Sequence, residues 1–198
     1  MPRPLVILAS GSPRRSELLH QIGVPHEVVP AHIPEQHRAG ESAAQCALRL
    51  ATEKALAVPS RAALPVIGAD TIVVVDGLLL GKPRDREQAL EMLARLSGRT
   101  HEVLSAVAVA HGGEVRSALA RSEVGFRELL RAECEAYWDS GEPRDKAGAY
   151  AIQGLGAVFV EALHGSYSGV MGLPLFETAQ LLAAAGVPLW RGVEDRVG

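Results

Sequence analysis

Asparagine is absent from this 198-residue chain, so no Asn-X-Ser/Thr glycosylation acceptor exists in it. Lysine is almost absent: of 20 basic residues, 17 are arginine and three, Lys54, Lys82 and Lys146, are lysine. The two cysteines, Cys46 and Cys134, stand far apart with no C-x-x-C spacing and read as reduced thiols packed in a core. The seven histidines include no H-E-x-x-H or H-x-x-x-H pair, which argues against a protein-built zinc site. A basic excess is missing too. The net charge of −3 argues against a general binder of nucleic acid or of membrane surfaces. No apolar run approaches the ~18 residues of a membrane span, and Met1-Pro2-Arg3-Pro4 lacks the apolar segment of a signal peptide. The expectation is a cytoplasmic protein with no membrane and no nucleic-acid polymer among its partners.

What is present is ordinary for a soluble globular chain: 47% hydrophobic and 22% charged residues, with no repeat and no long linker. Leu5–Ala9 is a continuous apolar run with the pattern of a buried strand. It stops at Ser10-Gly11-Ser12, where Ser12 and Pro13 are start signals for a helix that Gly23 closes. A strand over 26–29 and a polar loop over 30–40 follow. Ser42 and Gln45 form a capping box for a helix to about Val58. A long strand over 65–75 turns at Asp76-Gly77, and a second capping box, Asp85 with Gln88, opens a helix to Leu96. Strands over 101–110 and 114–126, a helix over 129–140, a glycine-rich stretch over 148–156, a strand over 157–162 and a helix over 174–185 complete the pattern. The polar tail after residue 190 is expected to fray. Alternating elements with two hairpins predict a mixed, partly antiparallel central sheet flanked by helices, in an α/β or α+β protein.

Three places carry chemistry. Ser10-Gly11-Ser12-Pro13-Arg14-Arg15 puts hydroxyls and two guanidiniums at a helix start, where cations oppose the helix dipole unless an anion joins them. Phosphate is the natural ligand, although two solvated arginines on an exposed turn would read the same. Asp70 shares a strand face with Gly68, Ile72 and Val74, so its carboxylate needs a cation, a metal or a hydrogen-bonding partner. A metal ligand, a base for water and a structural ion pair all remain open. Lys54 lies on the apolar side of its helix, beside Ala47, Leu50 and Ala51, and Lys82 lies in the rigid turn Gly81-Lys82-Pro83. A lysine stem snorkelling past a core is the plainer reading of Lys54. An anion, several cations and a carboxylate together form the inventory of phosphoryl chemistry.

These segments, with Ser97-Gly98 and His101, the run Asp145-Lys146-Ala147-Gly148-Ala149-Tyr150-Ala151-Ile152-Gln153-Gly154, and Gly165-Ser166-Tyr167 with Gly172-Leu173-Pro174, resemble the motifs of the Maf family of nucleoside triphosphate pyrophosphatases. They stand in the family's order over residues from about 5 to 185. The resemblance implies an inosine-triphosphatase-like fold, elongated with a deep cleft and often dimeric, here one domain of two lobes over 1–190. It implies hydrolysis between the α and β phosphates with a divalent metal, Mg2+ or Mn2+. Arg14, Thr71 and Gln153 match the specificity positions of the branch that prefers dTTP and UTP. Asp70 matches the catalytic acid, and Glu35 the loop glutamate near the metal and phosphates. Ser10, Ser12, Arg15, Lys54 and Lys82 are the expected phosphate contacts. The loop around Glu35 departs from the family's commoner D-E-S form, and Gly169 stands where many members have Asn. Modified pyrimidine nucleotides are a narrower alternative substrate. A nucleotide-binding regulator of septum formation or cell division, with incidental hydrolysis, is the alternative of a different class.

Overall fold

Apolar strands need cover on both faces, and the observed elements supply it with helices against a mixed sheet. A computed structural model describes residues 3–60 and 63–190; the expected tail over 191–198 lies outside the described residues. The chain divides into two compact units. One holds the residues up to Asp70, Ser105–Ala120 and those from Gly172; the other holds Thr71–Leu104 and Arg121–Met171. Among the described residues, no helix is long and apolar enough to cross a membrane.

The first unit begins with strand β1 (Val6–Leu8), buried at every position. Helix α1 (Pro13–Gln21) leads to β2 (His26–Val28), which pairs parallel to β1. Helix α2 (Ala43–Ala57) starts at the expected capping box: Gln45 N–H donates to Ser42 Oγ at 3.2 Å, and Ser42 N–H donates to Gln45 Oε1 at 2.8 Å. Strand β3 (Val66–Val75) returns beside β1 in parallel, with Ile7 opposite Val66. Ile7, Ala9, Val58 and Val66 form one buried cluster of this unit.

The second unit continues β3 into a hairpin with β4 (Leu78–Leu80), Val73 opposite Leu80. Helix α3 (Arg86–Leu96) follows, then β5 (Thr100–His111) and β6 (Glu114–Phe126), of which Ser105–Ala120 belong to the first unit, and α4 (Arg131–Asp139). Short 3-10 turns at Glu142–Asp145, Ala147–Ala149 and Leu155–Phe159 lead to β7 (Val160–His164), antiparallel to β6. Helix α5 (Tyr167–Met171) ends the unit, and α6 (Leu175–Ala184) belongs to the first. The core of the second unit is built around Phe126, Leu93 and Leu96, with Tyr137, Tyr150 and Phe159. Strand order is β2-β1-β3-β5-β6-β7 with β4 on β3, a seven-stranded mixed sheet as the alternation predicts.

Local expectations differ from the structure in four places. Ser12 takes the N-cap position of α1, but its side chain makes no capping bond. Asp85 caps α3 by accepting from Gln88 N–H at 2.9 Å, yet Gln88 reaches back to Arg84 N–H rather than to Asp85, so the box is shifted by one residue. The strand expected at 157–162 starts at Val160, because the preceding residues are wound into a 3-10 turn. Helix α5, five residues long, carries too little periodicity to be read from the chain. Cys46 and Cys134 are free and buried, and burial pushes the Cys46 thiol up to about 11.

Candidate active site

The chain leaves β1 through Ala9 and turns at Ser10-Gly11-Ser12 before Pro13, whose fixed φ suits the first helical position. Ser10 is buried, and its Oγ accepts from Arg15 Nη1 at 3.1 Å and from Ser12 N–H at 3.3 Å. Arg15 Nε donates to the Gly172 carbonyl at 2.8 Å, so the guanidinium is folded back over the turn rather than solvated. Burial lowers the Arg15 pKa; Asp70 and Glu35 raise it and Arg14 lowers it, which places all four charges in one neighbourhood. Arg14 and Ser12 are half-buried at the same helix start.

Asp70, 7% exposed, lies in β3, where an unpaired carboxylate would be expensive. Its partner is Lys54, 5% exposed, whose Nζ donates to Asp70 Oδ1 at 2.7 Å. The same Nζ lies 2.7 Å from Glu35 Oε1. Lys54 is on the inner helix face, as its spacing from Leu50 and Ala51 predicts, but its ammonium joins two carboxylates. Gly68 explains how helix and strand come this close. A Cβ there would stand 2.1 Å from the Ala51 carbonyl oxygen and 2.5 Å from Ala55 N, so only glycine lets α2 rest on β3 at this level. Ala51 and Ala55 flank Lys54 in the helix, and Asp70 lies two residues beyond Gly68.

Glu35 is exposed on the loop over 30–40, and that loop is tied down by Arg49 of α2. Arg49 Nη2 donates to the Gln36 carbonyl at 3.0 Å, its Nε to Glu41 Oε1 at 2.6 Å, and its Nη1 to Glu53 Oε2 at 3.1 Å. The Arg49–Glu53 pair, four residues apart on α2, is therefore one arm of a larger network. Its hydrogen bonds hold the Glu41 carboxyl well below the usual range.

Thr71, Lys82 and Gln153 belong to the second unit. Thr71 follows Asp70 directly in β3 and is half-buried. Lys82 is exposed, in a turn whose Gly81 carbonyl accepts from Gly148 N–H at 3.0 Å. Gly148 has a left-handed φ of 70° and packs on Val73, with 3.1 Å between the site of a Cβ and the valine methyls. Gln153 is exposed on a loop held from behind by two side chains that sequence reasoning missed. Tyr137 O–H donates to Glu142 Oε1 at 2.7 Å and accepts from Ala151 N–H at 3.0 Å. Glu142 also accepts from Leu155 N–H at 2.9 Å and Gly156 N–H at 3.1 Å. Lys146 pairs with Asp145. His101 is buried, with Nε2 2.8 Å from Tyr150 Oη and its ring edge-on to Phe126 and Tyr150. Burial lowers its pKa to about 4.

No group of three or more His, Cys, Asp or Glu side chains gathers as a metal set among the described residues. Asp70 and Glu35, however, both reach one ammonium and so face a common point. Two hard oxygen donors suit Mg2+ or Mn2+, which completes its shell with water and substrate phosphates. Chemically, the first unit thus offers two carboxylates converging on one point and a guanidinium with hydroxyls at a helix start.

Residues 5–185 match the family described as Maf-like protein. A dTTP/UTP pyrophosphatase of Saccharophagus degradans is 53% identical over 191 residues, covering 94% of this chain and 91% of that protein. One of Alkalilimnicola ehrlichii is 57% identical over 187 residues, covering 91% and 92%, and one of Methylococcus capsulatus is 55% identical over 186 residues, covering 92% and 91%. A nucleoside-triphosphatase/dITP/XTP pyrophosphatase structure from Mycobacterium abscessus aligns with 91% of this chain and 95% of its own, at 17% identity and a TM-score of 0.43. With the motifs in order along the chain and a family match spanning nearly all of it, this chain belongs to the Maf-like protein family.

Proposed function

We propose that this protein hydrolyses dTTP and UTP, with modified pyrimidine nucleotides as further substrates, to the monophosphate and pyrophosphate. The observation that carries the reading is the cluster in which Lys54 Nζ lies 2.7 Å from both Asp70 Oδ1 and Glu35 Oε1, with the Arg15 guanidinium in electrostatic range. The names of relatives at 53 to 57% identity support the substrate class. Water attacks the α phosphorus, the bond from that phosphorus to the α–β bridging oxygen breaks, and pyrophosphate leaves. Ser10, Ser12 and Arg15 hold phosphate oxygens at the start of α1, and Lys82 adds a further cation. An ammonium has three N–H donors; two of those on Lys54 meet carboxylates, and the third is assigned to phosphate. Asp70 accepts the proton of the attacking water. Asp70 and Glu35 would hold Mg2+ or Mn2+, which when bound offsets the charge of the phosphates. Arg14, Thr71 and Gln153 select the base. The Gln153 amide offers one donor group and one acceptor, matching the alternating edge of uracil or thymine.

Incubation with dTTP, UTP, CTP, GTP and ATP, with and without Mg2+ or Mn2+, and assay of pyrophosphate tests the proposal. Release from dTTP and UTP, abolished by EDTA and restored by metal, is expected. No pyrophosphate from any nucleotide would overturn the activity, and a purine preference would overturn the base assignment. Asp70→Asn is expected to abolish turnover while retaining nucleotide binding. An unchanged rate removes Asp70 from the chemistry.

A further inference from the structure

We infer that Tyr137 and Glu142 are positioning residues for base selection, clamping the loop over 151–156 so that Gln153 is presented at one height and angle. The inference rests on the reading of Gln153 as a base-contacting residue.

The clamp grips the loop on both sides of that residue. Two positions before Gln153, Ala151 N–H donates to Tyr137 Oη at 3.0 Å; two and three positions after it, Leu155 and Gly156 N–H donate to Glu142 at 2.9 and 3.1 Å. The tyrosine hydroxyl then donates to the same carboxylate at 2.7 Å, so the three backbone anchors end on one connected pair. Tyr137 is itself fixed: it is buried in α4, with its ring edge-on to Phe159 at 5.0 Å. Gln153 is exposed, so no burial of its own side chain orients the loop.

The glycines of the loop fit the same account. A Cβ on Gly154 would stand 2.1 Å from Glu142 Oε2, and one on Gly156 would stand 2.7 Å from Tyr137 Oη. Their absence of side chains lets the backbone come within hydrogen-bonding distance of the clamp. Burial pushes the Glu142 carboxyl up; the hydrogen bonds from Tyr137, Leu155 and Gly156 and the charge of Lys146 outweigh it, and the net displacement is downward. An ionised acceptor with three donors aimed at it holds a loop more firmly than three independent neutral bonds would.

Firm placement has a specific use at this position. Uracil and cytosine carry opposite donor and acceptor roles at N3 and at the group on C4. A glutamine amide tells them apart only if its backbone is held at a fixed distance and angle from the base edge. Loosening the loop therefore erodes discrimination more than it erodes the reaction at the phosphate.

The test measures kcat and KM for UTP, for CTP and for ribose 5-triphosphate, which has no base. It compares wild type with Tyr137→Phe, Glu142→Gln, Gly154→Ala and Gln153→Ala, with melting temperatures recorded for each. Gly154→Ala removes no hydrogen-bonding group and presses on the Glu142 carboxylate, so it serves if either clamp variant folds poorly. The expected result is at least a tenfold fall in the UTP-over-CTP ratio of kcat/KM in each clamp variant, carried mainly by KM for UTP. The loss on UTP should exceed that on ribose 5-triphosphate by a similar factor. In the Gln153→Ala background, adding Tyr137→Phe should change the ratio less than twofold. Equal losses on all three substrates, or a retained ratio in clamp variants while Gln153→Ala loses it, overturn the clamp alone. A ratio retained in Gln153→Ala overturns the base-reading role of Gln153 and the clamp with it.

Discussion

Lys54 and Asp70 are both almost fully buried, so each is the other's main compensation for lost hydration. Lys54→Met is expected to cost about 3–5 kcal/mol of stability, the usual range when one partner of a buried pair is removed. Urea unfolding measures the loss, and adding Asp70→Asn should recover part of it, since the stranded charge is then gone. His101 makes a second prediction. Its pKa is lowered from 6.5 to about 4 by burial, so the folded state binds fewer protons than the unfolded one. The neutral ring is tolerated at pH 7, and stability falls as pH drops from about 6.5 towards 4. The total is on the order of 3 kcal/mol. Unfolding free energies across that window should show a steeper fall in wild type than in His101→Gln; parallel curves would remove His101 as the cause.

Among the elements, the contact of α2 with β3 decides whether the cluster exists. Gly68→Ala would drive a methyl into the backbone of α2, 2.1 Å from a carbonyl oxygen that cannot rotate away. A loss of about 1–3 kcal/mol or more is expected from such overpacking. Because Lys54 rides on the displaced helix, pyrophosphate release should fall at temperatures where the variant is still folded. Thermal melting and a rate assay below the melting temperature check both parts. Helices α2 and α3 were legible because their start signals are local: Ser42 with Gln45, and Asp85. The turn at 155–159 and helix α5 were not, since their geometry depends on Glu142 and on pairing of β7 with β6, partners distant in the chain.

For the whole molecule, charge and connectivity make the predictions. With a net charge of −3, the proposed polyanionic substrate would be drawn in by local cations such as Arg15 and Lys54 rather than by the field of the whole chain. Raising the ionic strength from 0.05 to 0.5 M is expected to increase KM for UTP severalfold with little change in kcat, because the screening length shortens to a few ångströms (about 3 Å at 1 M). Strands β3, β5 and β6 pass through both compact units, so neither unit can lose its strands without breaking a strand of the other. Unfolding is therefore expected as one transition. Trp138 and Trp190, one in each unit, serve as separate probes in single-tryptophan variants, and midpoints that diverge would show independent unfolding.

Fold class, most element boundaries and the family were readable from linear patterns, because apolar periodicity, caps and motif order are properties of neighbouring residues. Helical spacing placed Lys54 on the inward face of α2. Folding alone decided its partners: Asp70 lies 16 residues away and Glu35 lies on a separate loop, and no local rule brings both to one ammonium. The roles of Arg49, Tyr137 and Glu142 were invisible for the same reason. Each holds backbone groups about a dozen or more residues away, and a hydrogen bond of that reach leaves no periodic trace in the chain.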